Sequence, residues 1–138
     1  MTPLTELLPH RAPAIVLTEL REIGEEGCLA LARVEPGAWY LDADGAMPAW
    51  VGLEMMAQAA SAFSGHRNTL SGRPVRVGYL LGTRSFTAAA PAFPAGTELE
   101  VEVRVIFMDP GGPSAFRCEI RHTGTVVAQA TLKAIEPS

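Results

Sequence analysis

Pro48-Ala-Trp-Val-Gly-Leu-Glu-Met-Met-Ala-Gln58 is the stretch on which the fold of this chain turns. Continued through Ala59-Ala-Ser-Ala-Phe63, it sets Val51, Leu53, Met55, Met56, Ala57, Ala59, Ala60, Ala62 and Phe63 so densely that a helix from Met47 to Gly65 keeps almost no polar face. Such a helix has to be surrounded by other elements. The serine- and glycine-bearing stretch Ser64 to Gly72 reads as its end. Glu54 is the only ionisable residue between Asp44 and His66, so its carboxyl stands among neighbours that disfavour charge. An unpaired carboxylate is costly to bury, which calls for a partner, a proton or water beside it.

Upstream, Ala14 to Ile23 reads as a strand and Cys28 to Val34 as its hairpin partner across Gly24-Glu-Glu-Gly27. Downstream, Val75 to Phe86 is strand-like again. Glu98 to Phe107 alternates cleanly, with Leu99, Val101, Val103, Val105 and Phe107 on a buried face and Glu98, Glu100, Glu102 and Arg104 on a wet one. Asp109-Pro-Gly-Gly-Pro113 is a turn, and Ala115 to Arg121 and Thr125 to Ile135 form a second hairpin across Thr123-Gly124. The order is two strands, one long buried helix, then about four antiparallel strands. A sheet with one apolar face must bury it, so the simplest α+β arrangement curls an antiparallel sheet around the central helix.

The composition allows this. A chain of 138 residues, 48% hydrophobic and 19% charged, is expected to form a single domain over residues 1–138 with one core. No apolar run is long enough for a secure membrane span, and Met1-Thr-Pro-Leu-Thr-Glu6 lacks the pattern of a secretory signal, so the cytoplasm is expected. A net charge of −4 argues against nucleic-acid binding. Cys28 and Cys118 read as buried free thiols. Lys133 is the only lysine against ten arginines, a bias that both anion recognition and GC-rich coding produce. No HExxH, His/Cys cluster, phosphate loop or Gly-x-Ser-x-Gly elbow occurs, so neither a metal nor a cofactor is implied.

The element order is that of the hotdog fold, and specific words agree with it. Leu7-Leu-Pro-His-Arg11 is similar to the opening segment of 3-hydroxyacyl-ACP dehydratases. Pro48, Leu53-Glu54 and Met56-Ala-Gln58 resemble their central-helix motif, Val77 to Phe86 the following strand, and Pro94-Ala-Gly96 its Pro-Gly turn. Over nearly its whole length the chain resembles this family, and most of all the divergent dehydratases of aryl-polyene pathways. The resemblance implies removal of water from a 3-hydroxyacyl thioester on an acyl carrier protein, at sites formed in a homodimer or in a heterodimer with a related subunit. One departure stands out. The family's catalytic histidine lies in a Gly-His-Phe-Pro-Gly loop, whereas Leu41-Asp-Ala-Asp-Gly-Ala-Met47 stands there and holds no histidine.

Each candidate residue has a chemical and a plainer reading. Glu54 is a general acid for the departing hydroxyl, or a carboxylate favoured by the positive end of the helix. Gln58, one turn on, orients that carboxyl and contacts substrate, or is a satisfied polar spot in a dimer seam. Amides from about Ala49 to Gly52, with Val51 and Gly52 foremost, hold the thioester carbonyl, as any helix start offers. A base for the C2 proton must be found elsewhere. His66 and His122 read as surface residues, which leaves His10 beside Pro9, in a segment that lines the substrate tunnel of the resembled family. His10 is either that base or a histidine that orients its own turn. Asp42 and Asp44 are in reserve and otherwise cap the helix start or stay solvated. Arg67, Arg73 and Arg76 are possible contacts for the acidic carrier protein and its phosphate. Two other functions stay open: an inactive subunit that binds carrier protein or stabilises a dehydratase partner, and a hotdog acyl thioesterase.

Overall fold

The computed structural model describes residues 15–70, 72, 79–109 and 112–135. Its elements in chain order are β1 (Glu19–Ile23), β2 (Gly27–Arg33), β3 (Ala46–Pro48), the helix α1 (Val51–Leu70), β4 (Tyr79–Ala88), β5 (Ala92–Pro94), β6 (Glu98–Met108), β7 (Pro113–His122) and β8 (Thr125–Ile135). Six strands make an antiparallel sheet in the order β1-β2-β6-β7-β8-β4, and β3 pairs with β5 in a separate two-stranded sheet. The helix packs on the inner face of the large sheet, which is the expected hotdog architecture.

The inner face is read directly from strand alternation. Leu99, Val101 and Val103 of β6, Phe116, Cys118 and Ile120 of β7, and Ala128, Ala130 and Leu132 of β8 are buried in register with Cys28, Ala30 and Ala32 of β2. On β2 these residues are small, so α1 sits close to it: the Cys28 thiol donates to the Ala59 carbonyl at 3.4 Å. From the helix, Val51, Met55, Met56, Ala59, Ala62 and Phe63 are fully buried against this face. On the outer face Arg121 bridges Glu102 at 3.3 Å and Glu119 at 3.0 Å.

Three expectations need correction. The helix does not stop at Ser64-Gly65 but runs to Leu70. Helix interiors disfavour glycine by about 1 kcal/mol, and here contacts on either side outweigh that cost. The Phe63 ring meets Phe116 edge-on at 6.3 Å and 82°, and the Arg67 guanidinium lies 5.7 Å over the Phe63 ring and donates to the Glu25 carbonyl at 2.9 Å. The regular alternation of β6 also fails at its end. A bulge between Val105 and Phe107 leaves Ile106 as an extra residue, so Phe107 pairs with Ala115 on the outer side and is 45% exposed. Finally, the described residues of the single chain do not enclose α1 on every side. Leu53, Glu54, Ala57, Ser61 and Ser64 form a half-buried stripe along it, continued by the 59% exposed Trp50.

Cys28 and Cys118 flank Val103 on adjacent strands and are buried free thiols. Burial pushes both from 9.0 to about 12, aided at Cys28 by the Glu102 carboxylate and at Cys118 by Cys28. The unfolded chain therefore ionises its thiols near pH 9 while the folded chain still holds the protons. Their contribution to stability is complete below that pH and is lost as pH rises toward 12. We expect neither thiol to react with iodoacetamide in the native protein at neutral pH, and the urea midpoint to fall between pH 9 and 11. Rapid labelling of the folded chain would contradict this placement.

Candidate functional site

The helix start is shaped from outside the helix. Among the described residues no side chain is seen to cap it. The Ala49 N–H instead donates to the Pro91 carbonyl at 2.8 Å, where β3 and β5 meet, and the first turn closes tightly through Gly52 N–H to Ala49 O at 2.9 Å and Leu53 N–H to Trp50 O at 3.0 Å. The amides proposed for a thioester carbonyl are thereby reduced. Those of Ala49 and Gly52 are engaged, whereas among the described residues those of Trp50 and Val51 donate to no backbone acceptor. Gly52 has a packing role, because a Cβ there would stand 3.0 Å from the Ile120 Cδ1. Val51 has only its amide to offer, since its side chain is fully buried.

Glu54 lies in the first turn, half-buried, one helical turn before Gln58. The Gln58 Nε2 donates to Glu54 Oε1 at 3.1 Å, and the backbone N–H of Val16 donates to Gln58 Oε1 at 2.9 Å. Gln58 is fully buried in the single chain and stands behind the carboxyl. The arrangement can hold a carboxyl in one orientation beside two helix-start amides, which suits delivery of a proton next to a polarised carbonyl.

The remaining candidates separate. His10, Pro9, Arg73 and Arg76 lie outside the described residues. Asp42 does not cap the helix: its Oδ1 accepts the N–H groups of Asp44 and Ala46 at 2.9 and 3.0 Å and closes the loop before β3. His122 faces the Glu98 carbonyl at 3.0 Å through Nδ1, on the last turn of the sheet. Arg67 is spent on Phe63 and the Glu25 carbonyl. Arg67→Ala is expected to cost about 1 kcal/mol, since an exposed cation–π contact and a charged hydrogen bond are both screened by water. A thermal melt lowered by a few degrees would register it; an unchanged melt would remove the role given to Arg67 in the last helical turns.

Among the described residues no group of three or more His, Cys, Asp or Glu is placed to hold a metal ion, and no helix is long and apolar enough to cross a membrane. What sequence reasoning missed is the backbone of Val16, 42 residues from Gln58, and the Pro91 carbonyl. Neither has a side-chain signal, because each acts through its backbone.

Residues 2–138 match the ApeP-like family, described as ApeP dehydratase. Comparison with curated proteins gives no match. Among solved structures, a chain of the dehydratase heterocomplex ApeI:P from Xenorhabdus doucetiae is similar with a TM-score of 0.95 and 28% identity, over 100% of this chain and 93% of that one. A sigma28-regulated virulence protein from Campylobacter jejuni (TM-score 0.74, 12% identity, 98% and 87% covered) shares the fold. So does a hypothetical thioesterase with coenzyme A from Streptococcus pneumoniae TIGR4 (0.67, 13%, 86% of each chain).

Proposed function

Because this chain belongs to the ApeP-like dehydratase family, we propose that it removes water from a 3-hydroxyacyl thioester presented by an acyl carrier protein, in polyene biosynthesis. The observation that carries the reading is Glu54, held by a buried amide beside the helix-start N–H groups of Trp50 and Val51. In this reaction those amides polarise the thioester carbonyl, and a base takes the C2 proton. Glu54 protonates the 3-hydroxyl as the C3–O bond breaks. The C2=C3 double bond forms and water leaves; the proton on the base returns through solvent to Glu54. His10 is the proposed base, in place of the family's loop histidine.

A partner subunit belongs to the same reading. The half-buried stripe from Leu53 to Ser64 needs cover, and the sheet has two unlike edges. On β1 the residues Glu19, Arg21 and Glu22 blunt the edge, whereas Tyr79 to Ala88 of β4 carries only Arg84. A hotdog partner, a second copy or a related subunit as in the ApeI:P heterocomplex, pairs along β4.

The test is the mass of a 3-hydroxyacyl carrier-protein thioester before and after incubation with this chain, alone and with a related subunit. Loss of one water, abolished by His10→Ala and by Glu54→Gln, is the expected result. Retention by His10→Ala removes His10 from the role. The loop Leu41 to Met47, closed by Asp42 and holding no histidine, favours a second reading, a subunit that binds carrier protein and supports an active partner. That reading holds if the chain binds the thioester and never turns it over.

A further inference from the structure

The face of the large sheet turned away from α1 is charged in two halves. Register sets Glu22, Glu102 and Glu119 in one outward row, with Glu100 and Arg121 in the row behind it. At the next row along the strands the sign changes. Arg104 and Arg117 form that row, and Lys133 stands in the one after it. Glu102 is thus directly opposite Glu119 and Arg104 directly opposite Arg117, and like charges so placed are unfavourable. Arg121 relieves the two carboxylates at 3.3 and 3.0 Å, and Arg104 and Arg117 lean on them from 3.4 and 3.9 Å. The side chains of Arg104 and Arg117 nevertheless stay 65% and 61% exposed, and a guanidinium has more donors than a single carboxylate uses.

An acidic partner laid on this face meets the carboxylate row, and a basic partner meets the arginines. A surface with the opposite order satisfies both rows, and a second copy of this chain presents that order when turned over. We propose that two copies associate through these outer faces about a two-fold axis that lies across the strands, between the two rows. Glu102 then stands over Arg104 of the second copy and Glu119 over its Arg117, whereas an axis along the strands would set acid on acid. Face-to-face sheets lie about 10 Å apart, a gap that an arginine and a glutamate reaching toward each other span.

The contact is isologous and small. Six strands about 4.8 Å apart and rows about 6.8 Å apart make a patch of roughly 24 by 20 Å, at the low end for a specific interface. Association is therefore expected to be reversible and sensitive to salt. The face lies opposite the open stripe of α1 and leaves the β4 edge free, so it joins two of the pairs proposed above and does not depend on the dehydratase reading.

Sedimentation velocity of the full chain, with its partner subunit where one is bound, is measured at about 0.1 M and about 1 M salt, between which the screening length falls from about 10 to about 3 Å. The mass at low salt is expected to be double that at high salt, with the dissociation constant raised at least about tenfold. Arg104→Glu with Arg117→Glu makes both rows acidic, and Glu102→Arg with Glu119→Arg makes both basic. Each variant alone is expected to lose the doubling, and an equimolar mixture of the two to regain it, with urea midpoints confirming that each is folded. Arg104→Lys with Arg117→Lys keeps the charges and is expected to keep the doubling. If the basic variant does not fold, the contrast between the lysine pair and the glutamate pair decides. Equal masses at both salts in the parent would overturn the proposal, as would doubling that survives reversal of either pair, its loss in the lysine variant, or a folded mixture that stays at the lower mass.

Discussion

Glu54→Gln is expected to lower dehydration by about 10²- to 10⁴-fold, the range for loss of a general acid, while the thioester still binds. Glutamine has nearly the volume of glutamate, and its side-chain oxygen still accepts the Gln58 N–H that now meets Glu54 Oε1 at 3.1 Å. The half-buried carboxyl is also replaced by a neutral group, so the fold gains no unpaired charge. What disappears is the group that would supply the proton. The effect therefore falls on kcat with KM nearly constant, as for an interaction made only in the transition state. Glu54→Asp keeps the acid but withdraws it by one methylene and breaks its register with Gln58, so it should lose activity as well, though less. A Glu54→Gln protein with parental turnover would remove Glu54 from the chemistry.

The sequence made part of this site legible. Glu54 and Gln58 are four apart in a helix, which alone places them on one face, and an isolated carboxyl among apolar residues asks for a partner. The Val16 N–H could not be read, because a backbone group gives no composition signal and lies 42 residues away. Helix-start amides were legible as a class but not one by one. Ala49 is taken by Pro91 through the pairing of β3 with β5, strands of three residues that each contain proline and are too short to show alternation.

The fold was read best where burial has a regular period. Leu99, Val101 and Val103 are buried on alternate positions as expected, and the period breaks only where the bulge after Val105 adds a residue that no propensity marks. Gly65 is the instructive error. A serine and a glycine after an apolar run look like a helix end when only local preference is weighed. Two long-range contacts decide otherwise, because helical stability in proteins comes chiefly from packing.

Phe63→Ala tests that account and should be the most destabilising single truncation in the helix. The ring is fully buried, meets Phe116 at 6.3 Å edge to face and carries Arg67 on its own face. Truncation loses transfer energy and leaves a cavity, together about 3–5 kcal/mol for a phenylalanine. That is a large share of the roughly 5–15 kcal/mol that holds an ordinary domain folded. The urea midpoint should drop sharply with an unchanged slope. The damage should also be uneven along α1. Beyond Phe63 the helix depends on this ring and on Arg67 reaching Glu25, so amide protection should collapse from Ser64 to Leu70. The first turn is held separately by Pro91, Ala49 and the Val16–Gln58–Glu54 chain. Folded Phe63→Ala protein should therefore retain its turnover per molecule while losing the end of its helix. A loss below about 1 kcal/mol, well under the range for a buried aromatic ring, would show that Phe63 does not hold the end of α1, and uniform loss of protection would show that the two ends of α1 do not stand independently.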